Sequence, residues 1–138
     1  MRDEAALRKL AELYARAVDR RDADLFLSLF ADDAELESHA NTWRGKEQLA
    51  QIPVRMRTRY DKTLHTVMNQ QVAIDGDKGQ GETYCIAYHL FPAKDGKQQR
   101  LDMYIRYQDR FVRQGGTWKF ARRKLDVQWI ETKDHSIA

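Results

Sequence analysis

The apolar positions divide the chain into a helical first part and a strand-rich second part. Leu7, Leu10, Tyr14 and Val18 recur at three- and four-residue spacing, with Ala6, Ala11 and Ala17 beside them. That period predicts an amphipathic helix over 3–20. Asp22 is placed to cap a second, shorter helix carrying Leu25, Phe26, Leu29 and Phe30. Asp32-Asp33 ends it, and Ala34 to Ser38 reads as a short strand. Gly45 precedes a third helix, from about 46 to 60, with an interruption or bend expected at Pro53.

From Leu64 onward the period changes to two. A strand over 64–74 ends at Asp75-Gly76-Asp77, and a second over about 81–92 stops at the run from Pro92 to Gly96. The third, 99–113, alternates most cleanly: Leu101, Met103, Ile105, Tyr107 and Phe111 share one parity, while Asp102, Arg106, Gln108 and Arg110 share the other. Gly115-Gly116 turns the chain into a last strand over 117–130. Three helices followed by hairpin-linked strands predict an α+β fold, with helices packed on one face of an antiparallel sheet.

A few polar residues violate this pattern. In the last strand Ala121, Leu125, Val127 and Trp129 share a parity, and Arg123 falls among them. Asp109 interrupts the third strand in the same way, between Tyr107 and Phe111. A guanidinium facing a core is costly unless it is paired or faces a polar cavity. Either Arg123 and Asp109 neutralise each other, or Arg123 faces a polar pocket. Asp19 lies near the end of the first helix, where the macrodipole disfavours a negative charge. It either pairs with Arg20 or Arg21 at the surface or borders the apolar stripe that contains Tyr14, itself readable as a core tyrosine. His65 opens the first long strand, and His89 shares its parity with Cys85, Ala87 and Phe91. A structural role accounts for either histidine equally well.

Composition narrows the function classes. The 138 residues suit one domain, 1–138, and 42% hydrophobic content with 33% charge is enough to build a core. No apolar run approaches the roughly 20 residues of a membrane span, and the sequence from Met1 enters helix-forming residues without a hydrophobic signal core. A single cysteine, Cys85, excludes an intramolecular disulfide, so a cytoplasmic setting is expected. The net charge is only +3, and the basic stretch Arg55, Arg57, Arg59 and Lys62 lacks interleaved exposed aromatics. It reads as a solvated helix face, and neither nucleic acid nor membrane is an expected partner. No cluster has metal-ligand spacing, and no Gly-rich phosphate loop or GxSxG elbow is present, so neither a metal nor an organic cofactor is expected.

The run from Leu13 to Asp22, followed by Leu29-Phe30-Ala31-Asp32-Asp33-Ala34, resembles the SnoaL-like branch of the nuclear transport factor 2-like superfamily. Leu64 to Asn69, Tyr107 to Phe111 and Trp118 to Arg123 agree with it. The resemblance implies a cone-shaped fold, a strongly curved antiparallel sheet whose three N-terminal helices enclose a deep pocket. Within that superfamily the sequence is similar to small cofactor-free lyases: scytalone dehydratase, bile-acid 7α-dehydratase and hexachlorocyclohexane dehydrochlorinase. These share a first-helix aspartate and a strand-opening histidine, which Asp19 and His65 match. Tyr14 and Arg123 match a tyrosine and a last-strand arginine of the bile-acid enzyme, and spacing from His65 places His89 at a second cavity histidine.

The resemblance implies that His65 and Asp19 act as a catalytic pair, with Tyr14 or Arg123 holding an enolate oxygen and His65 or His89 protonating a leaving hydroxyl. Leu36, Val67, Asn69, Cys85, Tyr107 and Trp129 would line the site for a hydrophobic or aromatic small molecule. A dehydratase is the expectation; an isomerase or cyclase using the same pair, or a non-catalytic binding or oxygenase-subunit role, are the alternatives, because fold does not transfer activity. Homo-oligomers, dimeric or trimeric, are implied through the outer sheet face.

Overall fold

A computed structural model gives the fold, and it describes residues 2–92 and 95–136. Two helices, α1 (Arg2–Asp19) and α2 (Ala23–Ser28), lead into strand β1 (Phe30–Glu37) and a short β2 (Thr42–Arg44). Helices α3 (Gly45–Leu49) and α4 (Gln51–Arg59) follow, then four long strands, β3 (Lys62–Asp75), β4 (Lys78–Pro92), β5 (Gln98–Gln114) and β6 (Thr117–Asp134).

The apolar stripe of α1 is buried as its period requires, with Leu7, Leu10, Tyr14 and Val18 inside. Asp22 caps α2 by accepting the Leu25 N–H at 3.0 Å. That helix ends at Ser28, and Phe30 belongs to β1 instead. The expected third helix is two, so the chain has four helices among the described residues. The break comes at Ala50 and not at Pro53. Pro53 falls in the first turn of α4, where a missing N–H removes no intrahelical bond.

The six strands form one sheet in the order β2-β1-β6-β5-β4-β3. Consecutive hairpins make β3 to β6 antiparallel, as the turns predict, with Gly76, Gly115 and Gly116 all at positive φ. Of the predicted turn at Pro92–Gly96, residues 93 and 94 lie outside the described residues. The sheet is mixed, not antiparallel throughout, because β1 runs parallel to β6 with Leu36 opposite Arg123. No hairpin links these two strands, so no turn sets their relative direction.

Bulges in β3 and at two places along β5–β6 reset the inside–outside parity, and the β1–β6 pairing has a further irregularity between Phe30 and Glu35. Between Val67 and Gln70 of β3, and between the pairs Arg110–Arg122 and Tyr104–Trp129 and their successors on β5 and β6, the register shifts by a residue. Each shift bends the sheet and moves the next side chains to the other face. The concave face packs Tyr14, Phe26, Phe30, Tyr107, Phe111 and Phe120 into one core under α1 and α2. On the outer face Tyr104 stacks on Trp129 at 4.5 Å, and Arg100 and Arg106 lie over Tyr88 and Tyr84. Among the described residues no helix is long and apolar enough to cross a membrane.

Candidate functional site

Asp19 is the last residue of α1, and β3 begins against that helix end. The Asp19 Oδ1 atom lies 2.7 Å from His65 Nδ1 and accepts the Thr63 hydroxyl at 3.0 Å. Oδ2 accepts the main-chain N–H of His65 at 2.9 Å. Burial alone would raise the Asp19 carboxyl, but the hydrogen bonds and charge of His65, with help from Thr63, outweigh it. The net effect is a carboxyl below its ordinary value. An ionised carboxylate facing Nδ1 keeps the proton on that nitrogen, which leaves Nε2 as the free base of the ring. The side chains of His65 and Asp19 retain 6% and 17% of their exposure. Asp19 therefore does not pair with Arg20 or Arg21 at the surface.

Tyr14 stands one turn and a half before Asp19 on α1 and meets the His65 ring edge-on at 6.4 Å. Burial pushes its hydroxyl up to about 12, against the nearby Arg123 cation, so it stays protonated and able to donate. Arg123 lies over the rings of Tyr107 and Tyr14, at 3.5 and 4.3 Å. Its Nε and Nη2 donate to the Asp109 carboxylate at 3.0 and 3.4 Å. Asp109 itself is pushed up to about 6 by burial, which the Arg123 charge opposes. Arg123 is thus an ion-pair partner, yet among the described residues its Nη1 is buried without a hydrogen-bond partner.

His89 is buried beside this group, its ring 6.0 Å from that of His65 and 4.6 Å from Tyr60. Its Nδ1 lies 3.1 Å from the Leu101 carbonyl oxygen and donates to it. Burial first, and the neighbouring His65 second, push it down to about 4. A neutral ring whose only N–H is committed to a carbonyl does not serve as proton donor near neutrality. The expectation that His89 protonates a leaving group is corrected on that ground; its Nε2 is an acceptor.

Val67, Cys85, Ile105 and Val127 lie opposite one another across four strands, forming an apolar row next to the pair. Burial pushes the Cys85 thiol up to about 11, which makes it a packing residue. Leu36 is buried next to Arg123 in register. Two expected lining residues are not there. Asn69 is exposed, because the β3 bulge turns it outward. Trp129 is 56% exposed on the outer face, because the β6 bulge after Val127 reverses its parity. Thr63, Arg21 and Tyr60 were not visible as site residues in sequence. None interrupts an apolar pattern, and their contacts depend on how two chain corners meet.

A surface cleft of about 590 Å³, lined among others by Gln71, Gln80, Glu82 and Gln108, lies beyond the β3 bulge and away from the dyad. Beside the His65 ring lie those of Tyr14 and His89, at 6.4 and 6.0 Å. Among the described residues no three His, Cys, Asp or Glu side chains are grouped to hold a metal ion.

A hexachlorocyclohexane dehydrochlorinase of type 2 superimposes with a TM-score of 0.86 at 21% identity, over 95% of this chain and 88% of the other. A candidate scytalone dehydratase from Novosphingobium aromaticivorans gives 0.84 at 20% identity, covering 99% and 89%. A candidate aromatic ring hydroxylase from the same organism gives 0.85 at 23%, covering 97% and 94%. At these identities the likeness establishes the nuclear transport factor 2-like fold and nothing finer. No curated protein matches the sequence significantly. The SnoaL-like domain model matches residues 1–124, and the chain belongs to that family.

Proposed function

We propose that the protein is a cofactor-independent lyase, a dehydratase acting on a hydroxylated cyclic, aromatic or steroid-like molecule. The observation that carries this reading is the 2.7 Å contact between Asp19 and His65 Nδ1. A histidine oriented by a carboxylate through one nitrogen presents the other as a general base. His65 Nε2 takes a proton from a carbon next to a carbonyl, and the electron pair moves to give an enolate. The Tyr14 hydroxyl and the unpartnered Arg123 Nη1 are the donors for that oxygen, each of a kind worth a few kcal/mol. The enolate then collapses to the alkene, and the leaving hydroxyl takes the proton back from the imidazolium as water. Asp19 stays ionised throughout. The dehydratase and dehydrochlorinase among similar structures, both names of elimination enzymes, support the same class.

A screen of cyclic β-hydroxy carbonyl compounds tests this, with alkene formation as readout. His65→Ala should abolish turnover and leave the fold intact; full turnover in that variant overturns the assignment. The low exposure of the pair favours a second reading, in which it is a buried structural hydrogen bond in a binding protein. That reading requires tight ligand binding with no chemistry in wild type and unchanged affinity in His65→Ala.

A further inference from the structure

Helix α1 ends in a two-bond reversal: the Asp22 N–H reaches the Ala17 carbonyl at 2.9 Å and the Arg21 N–H reaches Val18 at 3.2 Å. This motif places Arg21 in the left-handed region, at φ 57°. Glycine is the usual residue there, because any Cβ is unfavourable at that φ. Arg21 is also the only non-glycine with positive φ among the described residues. Backbone preference therefore does not explain the arginine, and its side chain does. Nη1 donates to the Val18 carbonyl at 2.9 Å and to Thr63 Oγ1 at 3.0 Å, and Nη2 donates to the Tyr60 carbonyl at 3.2 Å. One guanidinium thus ties the corner after α1 to the corner between α4 and β3.

A threonine hydroxyl has one proton and two lone pairs. With Arg21 donating to Thr63 Oγ1, the single Thr63 proton is directed at its other neighbour, Asp19 Oδ1, at 3.0 Å. We propose that Arg21 is a positioning residue for the Asp19–His65 pair, acting through Thr63 to fix the carboxylate that orients the imidazole. The inference rests on the pair being the functional centre. The other charged or titratable groups around it are Arg57 of α4, Tyr14 of α1, and His89 and Cys85 of β4, and none of them donates to Asp19.

Proton NMR of the intact protein tests this without a substrate. The probes are the His65 Nδ1–H resonance and the exchange with water of the His65 main-chain N–H, compared with neighbouring β3 amides. Arg21→Gly supplies the residue the backbone prefers, which offsets part of the loss of the guanidinium hydrogen bonds, so its thermal midpoint should stay within a few degrees of wild type. The His65 probes should nevertheless exchange at least about tenfold faster. Thr63→Val, which leaves the turn untouched, should do the same, and Thr63→Ser should restore the wild-type rate. Wild-type exchange at His65 in either Arg21→Gly or Thr63→Val overturns the proposal, as does exchange that merely follows a fall in thermal midpoint. Asp19→Asn separates the two readings. If Asp19→Asn alters the His65 probes while Arg21→Gly and Thr63→Val do not, Arg21 has no positioning role and the pair stands. If Asp19→Asn also leaves them unchanged, the pair itself fails.

Discussion

Asp19 holds His65 at two points, the ring through Nδ1 at 2.7 Å and the backbone through the main-chain N–H at 2.9 Å. A carboxylate bound to both cannot let the ring rotate without losing its hold on the strand. Asp19→Asn keeps the shape but offers an amide that can donate to Nδ1 and stabilise the wrong tautomer. Turnover in the elimination assay should fall roughly 10³–10⁴-fold, by analogy with carboxylate-to-amide changes in other histidine-orienting sites. Nitrogen NMR of the ring checks the cause, since the proton should shift from Nδ1 towards Nε2. Near-wild-type turnover in this variant would remove Asp19 from the mechanism.

The sequence carried the strands and turns well because hairpin glycines and period-two alternation are local signals. It carried Arg123 and Asp109 for the same reason: each is a charge on an apolar parity, and the two prove to be partners. Trp129 and Asn69 were misplaced because a bulge shifts every later side chain to the opposite face and has no strong local signature. The parallel pairing of β1 with β6 and the Arg21–Thr63–Asp19 chain join residues far apart in sequence. Neither leaves a periodicity to read.

His89 sets a pH dependence of stability. Its folded value, near 4, lies below the ordinary histidine value of 6.5. The unfolded chain therefore takes up a proton first as pH falls, and stability is lost progressively between about 6.5 and 4. The full loss is about 3 kcal/mol at the low end. Asp109, raised to about 6, acts with the opposite sign over part of this range, so the test is a comparison. His89→Asn keeps a donor for the Leu101 carbonyl but does not titrate. Urea unfolding at pH 7 and pH 4.5 should show a smaller acid loss in the variant than in wild type. Parallel losses would mean that His89 protonates without resistance in the folded state.

The Arg123–Asp109 pair has both side chains essentially removed from solvent, at 1% and 0% exposure. Removing one partner leaves an unpaired buried charge, at a cost of about 3–5 kcal/mol. Arg123→Met should therefore be strongly destabilised at pH 7.5. The penalty belongs to ionised Asp109, whose folded value is raised, so it should shrink as the pH falls and the carboxyl takes a proton. Combining Arg123→Met with Asp109→Asn should recover most of the loss. Denaturation of the two single variants and the double gives the coupling directly; additive losses would show that the pair is not a unit.

Trp129 and Tyr104 stack at 4.5 Å with an interplanar angle of 17° on the outer face, where Leu64 is also exposed. A flat aromatic surface of this kind is suited to contact with a second copy. If copies associate through it, Trp129→Asp should lower the molar mass found by light scattering to that of one chain while leaving the thermal midpoint of the fold within a few degrees. An assembly unchanged by Trp129→Asp would place the interface elsewhere.

Gly81 lies where β3, β4 and β5 press together, opposite Val72 on one side and Asp109 on the other. A Cβ built there would sit 2.6 Å from Val72 Cγ1 and would also clash with the Gln71 carbonyl oxygen. The carbonyl belongs to the backbone and cannot swing aside, so Gly81→Ala must open the β3–β4 ladder next to the Arg123–Asp109 pair. Such overpacking costs about 1–3 kcal/mol, and disturbance of the buried ion pair should put this site at the upper end. Gly79, two residues earlier on the same strand, is the control. Its added Cβ would meet neighbours only at 3.5 Å or more, which is ordinary contact. Urea denaturation should show Gly81→Ala losing at least 2 kcal/mol more than Gly79→Ala, and equal losses would show that the sheet can relax at Gly81 without cost to its core.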